Sequence, residues 1–208
     1  MPRSTIETRE KILHAAFRQF RKTGFFRSGI DEIAAASGVT KRTLYNHFPS
    51  KDDLLAAVLE AQHKRFFMTP DPYGISPTGD ALRFIDDLFR ELVVWSSKAK
   101  WAGSGYTRLA MELTDLPGHP ARLIARRHKS AVETYLSGVL ADAGLDHPDE
   151  RGRELMLLIE GAMLMIVIRG DRSYADAAAA AARTLLMHPR TTSGSIAAEP
   201  AARSHETT

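Results

Sequence analysis

Lys41, Arg42, Thr43, Tyr45, Asn46 and His47 crowd into one short segment, KRTLYNH. Each can donate a hydrogen bond to a phosphate oxygen or a base edge. Leu44, with Phe48 four residues on, is the apolar anchor of this segment. Thr40 and Ser50 are cap-type residues ten positions apart, and Lys41, Arg42 and Lys51 directly follow them. Positive charge is unfavourable at a helix start. Exposed backbone N–H groups there attract anions. Cations in such places make sense where phosphates arrive. A solvated helix face is the plainer reading of the same residues.

Other chemistries find no constellation. The chain has no cysteine, which excludes disulfides and thiolate metal sites. His119, His128, His147 and His188 are scattered without the paired spacing of a metalloenzyme helix. Ser104 in GSGY lacks a strand–elbow context, and no glycine-rich phosphate loop occurs. We expect no catalytic site, no metal and no cofactor.

The elements that must position KRTLYNH are helical. Ile12, Ala16 and Phe20, with Leu13 and Phe17, form a stripe at helical spacing after Thr5, read as the cap of the first helix, and Gly24 ends that helix. A short helix fits Ile30–Ser37, SGV forms a turn, and Thr40 caps a helix that Pro49 stops. Ser50 caps a fourth helix running to about Phe67, with Asp53 in a variant capping box. Two short helices around a three-residue turn containing glycine make a helix-turn-helix pattern.

Charge is distributed to match. Residues 1–67 hold 12 Lys/Arg and 7 Asp/Glu, hence +5, whereas residues 68–208 hold 16 and 18, hence −2. The N-terminal third is the candidate for a polyanionic partner. TPDPYGISPTG, residues 69–79, reads as a loop and a domain boundary. Beyond it, helices are predicted near 79–97, 104–114, 118–142, 148–169 and 172–187, with no competing strand pattern. The tail 189–208 has few large apolar residues and reads as disordered. The longest apolar stretch, 155–168, is short for a membrane span and contains Glu160. A cytoplasmic, nucleoid-associated protein is expected, with no membrane partner.

The stretches ILHAAFRQFRKTGF and IDEIAAASGVTKRTLYNHFPSKDDLL, at their mutual spacing, resemble the DNA-binding domain of TetR-family transcriptional regulators over about residues 5–60. The resemblance implies an all-α protein. It would comprise a helix-turn-helix DNA-binding domain (1–50), a linking helix (about 51–67) and a helical effector-binding and dimerisation domain (68–188). It implies a homodimer, a palindromic double-stranded operator, a small-molecule effector and, by default, repression. By position, Tyr45, His47 and Lys51 match phosphate contacts, and Lys41, Arg42 and Thr43 match the base-facing start of the recognition helix. Thr40 caps that helix and can also reach phosphate. Arg42 suits a bidentate pair with guanine. Gly29 stands where the family usually has Ser or Thr, so its phosphate role passes to Ser28 or Arg27.

The C-terminal part resembles the family loosely. Its last two helices are the expected dimer surface, with Leu157, Gly161, Leu164, Ala178, Ala182 and Leu185 as candidates; an internal core is the competing reading. Trp95, Trp101, Tyr106, Met111 and Met163 are candidates for lining an effector pocket, since aromatics and methionines suit an apolar or aromatic ligand; ordinary core is the competing reading for each of them. Glu112 and Glu160, within apolar stretches, could receive a cationic or hydrogen-bonding group. A helical-bundle enzyme or an adaptor acting on a hydrophobic ligand without DNA is the alternative class.

Overall fold

In a computed structural model of the chain, residues 3–69 and 71–188 are described. They form nine helices and no strand. α1 (Arg3–Thr23), α2 (Ile30–Ser37), α3 (Lys41–His47) and α4 (Lys51–Phe66) precede a loop. After it come α5 (Ala81–Ser96), α6 (Gly105–Glu112), α7 (Pro120–Asp142), α8 (Pro148–Arg169) and α9 (Ser173–Met187). α1 begins before Thr5, which lies inside the helix and is not its cap. The expected disordered tail lies outside the described residues.

The N-terminal helices close around Ile12, Ala16, Ile33, Leu44, Phe48, Leu54 and Val58, all nearly inaccessible. Burial of such side chains contributes roughly 1.5–3 kcal/mol each relative to exposure, and this small cluster organises the whole unit. The local punctuation follows the sequence. Gly38 adopts a left-handed φ of 70° after α2. The Thr40 hydroxyl accepts from Thr43 N at 3.1 Å, and the Ser50 hydroxyl accepts from Asp53 N at 3.0 Å.

The C-terminal helices bury a larger core from α5, α7, α8 and α9, including Phe84, Ile85, Leu136, Leu140, Leu155 and Ile159. The loop before α5 is pinned to this core by buried Ile75 and half-buried Tyr73. Arg151, almost wholly buried, donates to Asp146 and to the carbonyls of Leu185 and His188, which ties the start of α8 to the end of α9. Such a buried cation is tolerable because each guanidinium nitrogen donates to an acceptor. Among the described residues no helix is long and apolar enough to cross a membrane.

A third cluster joins the two parts. Phe25, Leu55, Leu59, Leu109, Leu113 and Ala121 pack together, so the turn after α1, the helix α4 and the α6–α7 segment share one small core. α4 faces both ways: Leu54 and Val58 enter the N-terminal core, and Leu55 and Leu59 enter the junction.

Candidate nucleic-acid interface and ligand cavity

α3 is anchored by Leu44, which is fully buried, and by Phe48, immediately after its end. Lys41, Arg42, Tyr45 and Asn46 are exposed, and Thr43 and His47 are half-buried. A seven-residue helix held by so few apolar contacts, with long donors on its free face, has the proportions to enter a major groove. Lys41 pairs with Asp31 of α2 at 3.1 Å. Both partners are well exposed, so the pair contributes little to stability and yields readily to a phosphate.

Lys51 has partners within the chain. Its ammonium donates to the carbonyl of Phe26 at 3.2 Å and lies 4.4 Å from the centre of the Phe25 ring. Burial there pushes its pKa below the ordinary lysine value, against the opposing pull of Asp52 and Glu112. It steadies the α1–α2 turn from the start of α4. Ser28 corrects the expectation outright. Its side chain is buried, its hydroxyl donates to the Gly24 carbonyl at 2.5 Å, and it lies 2.8 Å from Thr23 Oγ1. That hydroxyl closes the turn and presents nothing outward. Arg27 is exposed, and its Nε donates to the Thr23 carbonyl at 3.2 Å. Gly29 is followed by Glu32, whose carboxylate accepts from Gly29 N at 3.4 Å and from Gln19 at 2.5 Å. α2 is therefore capped and tied to α1 without the side chain that Gly29 lacks.

A cavity of about 630 Å³ lies in the C-terminal part and opens onto the N-terminal one. Of the residues proposed for a pocket, Trp95, Tyr106, Glu112, Glu160 and Met163 line it. Two expected residues do not. Met111 is 61% exposed, because it sits about 200° around α6 from the inward-facing Leu109. Trp101 packs edge-on to Trp95 at 5.5 Å and against the main core. The wall reaches further than expected, to Phe17, Phe20 and Arg21 of α1 and to Leu55, Val58 and Leu59 of α4.

The polar groups of the cavity were not legible as a set. Lys129 of α7 forms an ion pair with Glu160 of α8 and donates to Ser104 Oγ at 3.1 Å. Glu160 also accepts from Thr107 Oγ1 at 2.6 Å. Glu160 is thus already engaged and is not a free acceptor for a cation. His128 stacks on Tyr106 at 3.7 Å, and its Nδ1 is 3.2 Å from that of His63 on α4. Burial, with Lys129 and His63 nearby, pushes His128 down to about 3, so its imidazole is neutral. Burial likewise pushes the phenols of Tyr73 and Tyr106 up, and both stay protonated.

Glu112, at the far end of α6, accepts from Phe25 N at 2.9 Å and Phe26 N at 3.4 Å. Arg108 of the same helix donates to Arg21 O at 3.4 Å. α6 therefore touches the cavity's ion pair near its start and the N-terminal unit along its later turns.

Of the expected dimer residues, Leu157, Gly161, Leu164 and Leu185 are exposed on α8 and α9. Ala178 and Ala182 are buried in the chain's own core. The outward alanines are Ala177, Ala180 and Ala181, of which Ala177 and Ala181 continue at helical spacing to Leu185. A run of alanines has no hydropathy contrast, so its facing register cannot be read from residue types.

The chain matches the family described as "Bacterial regulatory proteins, tetR family" over residues 12–58. It is 42% identical over 170 residues to the uncharacterized HTH-type transcriptional regulator YxaF of Bacillus subtilis, covering 80% of this chain and 88% of that protein. The chain belongs to the TetR family of bacterial transcriptional regulators. It is also 34% identical over 94 residues to HTH-type transcriptional regulator TtgR of Pseudomonas putida, covering 42% of this chain and 44% of that one. The alignment thus spans less than half the length of such relatives. A solved TetR-family regulator from Streptomyces coelicolor superposes with a TM-score of 0.75 at 27% identity, covering 87% of this chain and 95% of that one. NemR of E. coli shares the fold at a TM-score of 0.77 and 22% identity, covering 85% and 95%.

Proposed function

We propose that this TetR-family protein is a homodimeric repressor that binds a palindromic operator and is released by a small, predominantly apolar effector. The observation that carries DNA binding is α3, anchored by Leu44 and Phe48 with Lys41, Arg42 and Tyr45 exposed around its capped start. Arg42 and Lys41 take base edges, and Tyr45, His47 and Arg27 take phosphates. One such helix reads few base pairs, so two copies related by a twofold axis are needed to specify a site. The exposed face Leu157, Gly161, Leu164 and Ile168 on α8, with Ala177, Ala181 and Leu185 on α9, supplies the apolar surface for that pairing. The units are residues 1–50, the link 51–67 and the domain 68–188.

Release follows from the cavity and α6. The cavity wall includes both domains, so an occupant contacts α1 and α4 as well as the bundle. α6 receives that change near Ser104 and Thr107 and passes it to the Phe25–Phe26 turn through Glu112. An effector that prefers one setting of α6, and DNA that prefers the other, are coupled in both directions.

Genomic footprinting gives the operator, and gel shifts on that operator at two salt concentrations test the reading. Specific binding that weakens steeply with salt is expected. No protected site, or binding indifferent to salt, defeats it. Leu157→Glu with Leu164→Glu is expected to yield monomers by sedimentation and to abolish operator binding.

A further inference from the structure

The cavity wall is mostly aliphatic and aromatic, yet it contains a lysine and a glutamate set against each other. Their side chains are 27% and 23% exposed. The other charged groups are accounted for separately. Arg21, Arg65, Glu91 and Lys98 are exposed at its edge. Arg108 and Glu112 are bound to backbone of the α1 end and the following turn. His128 is neutral. The deep polar feature is therefore a closed, internally neutral pair, buttressed by Ser104 and Thr107. A further carboxylate there would face Glu160, and a further ammonium would face Lys129. Either would leave one charge uncompensated in a partly desolvated site. A neutral carbonyl or hydroxyl oxygen meets no such penalty, because a lysine ammonium has three donors and Lys129 uses two of them, on Glu160 and Ser104.

We infer that the Lys129–Glu160 pair makes this cavity select electroneutral ligands with a hydrogen-bond acceptor and exclude monovalent anions and cations of the same shape. This rests on the cavity being the effector site, and it names the charge class of that effector. Breaking the pair from one side has a signed consequence. Glu160→Gln leaves the lysine unmatched and turns the preference towards anions. Lys129→Met leaves the carboxylate unmatched and turns it towards cations. Removing both charges restores the neutral preference.

The test uses three naphthalenes of one shape: 2-acetylnaphthalene, 2-naphthoate and 2-naphthylmethylammonium. Each is titrated calorimetrically, without DNA, into the full chain and into Glu160→Gln, Lys129→Met and the double variant. The wild-type chain is expected to bind the ketone at least about tenfold more tightly than either ion, a difference of about 1.4 kcal/mol. Glu160→Gln should bind the naphthoate best, Lys129→Met the ammonium, and the double variant the ketone. A wild-type preference for either ion overturns the inference. So does the same ranking in both single variants, or no binding of any probe to any of the proteins. If a single variant fails to fold, the wild-type ranking and the double variant decide. A gel shift with the bound ketone is read separately: binding in the expected order with the operator retained defeats effector release and leaves the charge filter standing.

Discussion

On α3, Lys41, Arg42 and Tyr45 stand in solvent around a helix fastened by two apolar side chains. In the bundle, Lys129 and Glu160 turn inward and fasten to each other. The outward set is cheap to keep because water solvates it. The inward set is tolerable only because every strong group has a partner. The first arrangement can exchange partners without refolding, which a reader of phosphates and bases requires. The second cannot lose one partner without exposing the charge of the other, which is what gives a cavity discrimination.

The sharpest way to break the contrast is to damage each half alone. Leu44→Ala removes the main anchor of α3 and is expected to cost about 2–5 kcal/mol in the N-terminal unit. Operator binding should vanish in gel shifts. Gly152→Ala strikes the other half. A Cβ there would lie 2.9 Å from the Ser137 backbone nitrogen, so α7 and α8 must separate. The expected cost is about 1–3 kcal/mol, read as a lower Tm in a thermal melt.

Smaller changes sharpen the contrast. Arg42→Ala should cost about 1–3 kcal/mol at one base position and leave scrambled DNA less affected. Tyr45→Phe should weaken operator and scrambled DNA equally. Titration against both DNAs separates these roles, and equal losses for Arg42→Ala would remove its base-reading assignment. Thr40→Ala deletes the α3 cap and is expected to cost about 1 kcal/mol by chemical denaturation.

A pH-dependent effect concerns His128. Its folded pKa of about 3 lies below its ordinary value of 6.5, so between those limits the unfolded chain binds more protons. Its contribution is fully present above about pH 6.5 and is lost as pH falls towards 3. Tm should therefore fall between pH 7.5 and 5, and His128→Phe should flatten part of that fall.

The N-terminal elements were legible because their signals are local. Thr40, Gly38 and Ser50 each act within three or four residues, and the bounds of α2, α3 and α4 follow closely from them. Thr5 misled because a cap-type residue does not by itself fix where a helix begins, and α1 already runs from Arg3. Ser28 misled because a hydroxyl at a turn can point to the groove or back into the turn, and its type is the same in both cases. In the C-terminal part the decisive partners are far apart in the chain. Lys129 and Glu160 are 31 residues apart, His63 and His128 are 65 apart, and Phe25 and Glu112 are 87 apart. Helical spacing placed Glu160 among apolar neighbours but could not supply its lysine. Aromatic content pointed to a pocket but could not place Trp101 outside its wall.

Gly24 is held to glycine from two directions. Its φ of 84° disfavours any side chain, and the place a Cβ would occupy is 2.9 Å from Glu112 Oε1. The carboxylate that grips the Phe25–Phe26 turn thus sits in the space that glycine vacates. In lineages descended from this chain, positions 24 and 112 should vary together or not at all, because a methyl group gained at the first evicts the second. One missing side chain in one domain is the socket for the other domain's clasp.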